Sequence, residues 1–124
     1  MNGLTIYSKI KILPQVGGLQ MIEHFSFDQR LGIPLPELTV DWDEYSKETQ
    51  QEILLHWEQI RGSIPDRIAE LEQEINYKQD LLSNENDFPR SCQLNTDIAD
   101  LASIINDLWL WYRANQTLSS KMHQ

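Results

Sequence analysis

The sequence predicts an α+β domain: an N-terminal β-hairpin followed by three helices, the last two a long antiparallel helical hairpin. Three observations carry this reading. Apolar residues alternate at period two near the N-terminus. They recur at helical spacing from about residue 46 onward. A short polar turn, SNEND, separates the two longest helical stripes.

The first strand is read from Leu4, Ile6, Ile10 and Ile12 alternating with Thr5, Tyr7, Lys9 and Lys11. Pro14 should end it, and Gly17-Gly18 permit a reversal. Leu19, Met21, Phe25 and Phe27 then alternate with Gln20, Ile22, Ser26 and Asp28 as the second strand. Pro34 and Pro36 impose an extended path. Leu38, Val40 and Trp42 either add a short third strand or lie on the core.

Ser46 is the expected N-cap of the first helix, whose stripe is Ile53, Trp57 and Ile60 with Leu54 beside it. Gly62 is placed to stop that helix, and Ser63-Ile-Pro65-Asp66 to start the next. The second helix carries Ile68, Leu71, Ile75 and Leu82, with Lys78 in the vacant heptad position. The third carries Leu94, Ile98, Leu101, Ile105, Leu108 and Tyr112, at alternating spacings of four and three. With the second helix starting near Pro65, the third overshoots it by roughly 13 Å at the helical rise. The overhang holds LWLWYR and leaves Leu108, Trp109, Trp111 and Tyr112 to be covered. The expected organisation is one domain over 1–124: a β-rich or extended part (1–45), a helical part (46–118) and a flexible tail (119–124).

Composition narrows the function. Ten basic against nineteen acidic side chains give a net charge of −9, the wrong balance for a protein that tracks nucleic-acid phosphates. The single cysteine, Cys92, has no internal disulfide partner and fits a reducing compartment. No segment has the roughly 18 apolar residues of a membrane helix, and the N-terminus lacks the apolar run of a signal peptide. The expectation is a cytoplasmic protein that contacts neither membrane nor nucleic acid.

No catalytic, cofactor or metal site is expected. Glu48, Glu52 and His56 sit four apart on the first helix, but no second ligand cluster accompanies them, and such a row commonly lies on a solvated face. His24 and His123 are isolated. Asp41, Asp43 and Glu44 around Trp42 read as a carboxylate-rich helix lead-in, or as an acidic docking patch. Cys92 has no nearby helical histidine to activate it. Phosphate-binding glycine loops, GxSxG and CxxC are all missing from the sequence.

One pattern points to a partner. On a helical wheel, Cys92, Thr96, Ala99, Ser103 and Leu110 lie opposite the Leu/Ile seam of the third helix. Small residues at that spacing make either a weakly polar solvent face or a second packing face, for the first helix or for another copy of the chain. With Trp109 and Trp111 they form the candidate partner-binding set, and the surplus apolar surface of the last turns favours a homodimer.

The stretch LEQEINYKQDLLSNENDFPRSCQLNTDIADL resembles a UVR-type helical hairpin. That module occurs in the B and C subunits of bacterial nucleotide-excision repair and in some Clp-type ATPases and their adaptors. The resemblance rests on Asp87-Phe88, the small pair Ser91-Cys92, Leu94, and Asp97-Ile98 with Leu101, about 31 residues of the chain. Pro89 stands where the family usually has Glu, and Asn95 where Arg is common. The resemblance implies protein–protein contact without chemistry. Asp87 should cap the third helix, and Phe88 should fold back near Leu81 or Leu82. The function expected is therefore a non-enzymatic interaction or adaptor-like protein, self-associating or docking through its helical hairpin. The alternative is a small acidic antagonist, of immunity-protein type, that blocks a basic site on a partner.

Overall fold

The computed structural model describes the backbone of residues 12–16 and 19–122 and the side chains of residues 22–114. In chain order the elements are β1 (Ile12–Val16), β2 (Leu19–Ile22), β3 (Phe25–Asp28), β4 (Ile33–Pro36), a 3₁₀ turn (Trp42–Glu44), α1 (Lys47–Ser83) and α2 (Phe88–Met122). The contacts divide the chain into two units, 1–61 and 62–124.

The first unit holds two antiparallel hairpins, β1–β2 and β3–β4. The strand expected over 4–12 lies outside the described residues, apart from Ile12. Pro14 sits inside β1 and does not end it. The register passes from Leu13↔Met21 to Val16↔Leu19, so β1 carries one extra residue across Pro14-Gln15. A bulge is where a strand tolerates a residue without an N–H.

The expected second strand is broken at Glu23-His24, where His24 takes a left-handed φ of 72°. Its second half becomes β3, paired with β4 from Phe25↔Pro36 to Asp28↔Ile33. The two prolines therefore do more than hold an extended path: they lie in a strand. The connecting loop is built by Asp28. Its carboxylate accepts from Leu31 N at 2.8 Å and its carbonyl from Gly32 N at 2.7 Å. Gly32, at φ 78°, supplies the left-handed residue that closes the loop. Phe25, Leu31 and Ile33 are buried. Leu38 and Val40 are exposed, and Trp42 lies in the 3₁₀ turn, so these three residues form neither a third strand nor a core layer.

Ser46 caps α1 as its residue type predicts: its hydroxyl accepts from Thr49 N at 3.1 Å. Ile53, Trp57 and Ile60 are buried along one stripe. The helix does not stop at Gly62. It runs 37 residues with Pro65 inside it, so the three expected helices are two. The reason is the apolar stripe. Ile60, Ile64 and Ile68 continue it at spacings of four, and all three are buried, with Ile64 at 0% exposure. Gly62 and Pro65 are both exposed, away from that stripe. Burial along an uninterrupted face outweighs the local cost of a glycine and a proline, about 1 and 3 kcal/mol respectively.

The helical hairpin lies within the second unit. Lys78 Nζ meets Asp97 Oδ2 at 3.3 Å, which sets α1 and α2 antiparallel with Lys78 beside Ile98. Counting outward at seam spacing places Ile75 level with Leu101, Leu71 with Ile105, Ile68 with Leu108 and Ile64 with Tyr112. Counting toward the turn places Leu82 level with Leu94. Every seam position of α2 up to Tyr112 thus has a counterpart on α1, and the predicted overhang of LWLWYR disappears. Leu71, Leu94 and Leu108 are fully buried, while Ile75, Ile98, Leu101 and Ile105 are half-buried. Helix α2 extends to Met122, beyond the expected end at residue 118.

Candidate interaction surface

Helix α2 is started by Asp87. Its carboxylate accepts from Arg90 N at 3.3 Å and its carbonyl from Ser91 N at 2.9 Å. Phe88 does not fold back on the hairpin; it is 78% exposed at the tip. Its position at the first residue of the helix, with Pro89 after it, turns the ring outward.

Cys92, Thr96, Ala99, Ser103 and Leu110 are all exposed on the side of α2 opposite its seam. The Thr96 hydroxyl donates to Cys92 O at 3.1 Å, folding onto its own helix and lowering the polarity of that face. Leu110 is 53% exposed and Trp109 37%. The Trp109 ring stands edge-on to Tyr112, with centroids 5.5 Å apart. Trp111 is half-buried and lies on the other flank, so the structure does not gather it with the rest of the predicted set.

The charge layout separates the two flanks. At about 100° per residue from Leu94, the described carboxylates of α2, Asp97, Asp100 and Asp107, fall roughly 60–140° to one side. Trp109, Ala102, Ala99, Leu110 and Ser103 fall roughly 60–180° to the other side, an arc without a carboxylate. In a chain of net charge −9, that arc is a marked local exception. Asp97 is held below the usual aspartate range, first by the Gln93 side-chain amide and then by Lys78.

A groove opens beside the seam on the same side as Trp109. Its lining is Glu72, Ile75, Asn76 and Gln79 of α1 with Ala102 and Ile105 of α2. It accounts for the half-burial of Ile75 and Ile105, whose side chains line it.

The first unit holds a smaller pocket, lined by Ile22, Glu23, His24, Phe25, Glu52, Ile53 and His56. His56, expected on a solvated face, is buried, its ring 4.8 Å from that of Phe25. Burial holds it below the usual histidine range. The row Glu48, Glu52, His56 is therefore split between solvent and core. Sequence reasoning missed this because β3, which supplies Phe25, was not recognised as a separate strand. Among the described residues, no group of three or more His, Cys, Asp or Glu is placed to hold a metal ion. Nor is any described helix long and apolar enough to cross a membrane.

No protein-family model, curated protein or solved structure matches this chain.

Proposed function

We propose that this chain is a non-enzymatic interaction protein that self-associates or docks through the carboxylate-free arc of α2. The observation that carries the reading is the segregation of charge on that helix. Its described acids crowd one flank, while Ala99, Ser103, Trp109 and Leu110 leave the other open to close approach. Small residues let a second backbone come near, and exposed Trp and Leu are the side chains that gain most from being covered. A chemical role has less support: His56 is buried with its ring packed against that of Phe25.

A second reading is favoured by the other flank, where Glu70 and Glu74 of α1 lie on the same side as Asp97, Asp100 and Asp107. An acidic antagonist would present that flank to a basic site. Photo-reactive residues placed at Ala99 and Leu110, and in parallel at Glu70 and Glu74, separate the two in cells that make the protein. Adducts at Ala99 and Leu110 support docking through the open arc; adducts confined to Glu70 and Glu74 contradict it.

A further inference from the structure

We infer that the partner of the hairpin is a second copy of this chain, with Trp109 of each copy seated in the other's groove over Ile75, Ala102 and Ile105. The inference rests on the interaction reading above and specifies its partner. Three observations lead to it.

First, the seam is incomplete where the groove lies. Leu71, Leu94 and Leu108 are fully buried, yet Ile75 and Ile105, which line the groove, are not. Two helices cover one side of such a seam; bundles close the other side with further helices.

Second, a projection and a recess occur on one face. Trp109 and Ala102 both lie roughly 60–80° from the seam in the same direction. They are separated by about 10 Å along α2 at the helical rise. A two-fold axis lying in the interface, perpendicular to α2 and level with the midpoint between them, carries the tryptophan of one copy onto the recess of the other and back again. This is the reciprocal contact that an isologous interface demands. A projection without a recess would have suited a different partner. The edge-on contact with Tyr112 holds the Trp109 ring in place before association, so little freedom remains to be lost.

Third, the face permits a like-charged partner. Two chains of net charge −9 repel, and the repulsion is least where carboxylates are fewest. Around the groove the one carboxylate is Glu72, beside the amides Asn76 and Gln79. The exposed Arg113 projects on the same side of the hairpin.

Light scattering and sedimentation of the whole chain test this between about 1 and 100 μM, the range in which micromolar affinity is visible. The expected species has twice the 14.5 kDa mass of the chain. Ala102→Glu puts a charge on the groove wall and Trp109→Ala removes the projection; each should raise the dissociation constant about tenfold or more. Both sites are exposed, so circular dichroism should show unchanged helix content. A 14.5 kDa species throughout overturns the inference. So does a dimer that survives Ala102→Glu and Trp109→Ala but dissociates with Leu110→Glu. That last result leaves the interaction reading standing and moves self-association to the far side of α2.

Discussion

Lys78 and Asp97 form an ion pair across the helical hairpin, Nζ to Oδ2 at 3.3 Å, and Lys78 occupies a position that the seam otherwise fills with Ile or Leu. The lysine stem packs along the seam while its ammonium reaches the rim. Gln93 completes the arrangement by donating from Nε2 to Asp97 Oδ1 at 2.8 Å. The pair works as a register pin: shifting either helix by one turn would separate it by about 5.4 Å.

Asp97 should titrate below the usual aspartate range by carbon-detected NMR. Its lowered folded pKa contributes stability that is present above the unfolded value and lost as pH falls through the folded one. Gln93→Ala removes the largest cause and should move the midpoint upward. Lys78→Met, which removes both a hydrogen bond and a charge, should move it upward as well. An Asp97 midpoint unchanged in both variants would contradict the geometry.

The core substitutions should rank by burial. Leu71→Ala, Leu94→Ala and Leu108→Ala remove fully buried side chains and should each cost about 2–5 kcal/mol in urea denaturation. Leu101→Ala removes a half-buried one and should cost about 1–2 kcal/mol. Equal losses at Leu101 and Leu108 in the monomer would contradict that ranking, whereas the proposed dimer would also cover the groove-lining Ile75 and Ile105. The comparison therefore belongs at low protein concentration, where the monomer dominates.

Gly62→Ala should stabilise the chain by about 0.5–1 kcal/mol. The position is exposed inside a helix, and an added Cβ meets nothing within 4 Å. Were Gly62 a left-handed helix stop, alanine would destabilise instead, so the sign of the change decides between one helix and two.

His56 makes the first unit sensitive to acid. Its folded pKa lies below the ordinary value because burial disfavours the imidazolium. In that window the unfolded chain binds more protons, so stability is full above about pH 6.5 and declines as pH falls through the folded value. Glu23, His24 and Glu52 line the same pocket, which makes the His56→Gln variant the necessary comparison. The difference in unfolding free energy between pH 7.5 and pH 5 should shrink in His56→Gln; an unchanged difference would assign the acid response to the neighbouring groups.

Much of the helical part was legible because burial along a helix repeats itself. The stripe Ile53, Trp57, Ile60 and the seam from Leu94 to Tyr112 each offer several residues at one period, so one misread position does not erase the pattern. The caps at Ser46 and Asp87 were legible for a different reason: the residue type is the mechanism. The errors came where single residues were allowed to decide. Gly62 and Pro65 signal a break locally, yet Ile64 lies between them in phase with Ile60 and Ile68, and that phase was the stronger evidence. In the first unit, Asp28 and Gly32 mark a tight loop that was readable in DQRLG, but the prolines of β4 masked its partner strand. The turn at His24 had no such signal, because a left-handed histidine is uncommon and held only by its surroundings: Glu37 N donates to His24 O at 2.8 Å, and the Tyr45 ring stands edge-on at 5.1 Å. The open arc of α2 was visible as a pattern of small residues. The groove was not, since it depends on the register that Lys78 and Asp97 set.

The central claim is that the protein acts by contact through the carboxylate-free side of α2. It is tested most directly by tagging two double variants in their native cells and measuring, by size-exclusion chromatography of gentle extracts, the share of each that elutes in a complex. Ala102→Glu with Leu110→Glu, which charges both the groove edge and the far edge of the arc, should shift the chain to the monomer position, while Glu70→Ala with Glu74→Ala should elute like the unmodified protein. The opposite pattern, complex retained in the first variant and lost in the second, would contradict the account and assign the contact to the acidic flank.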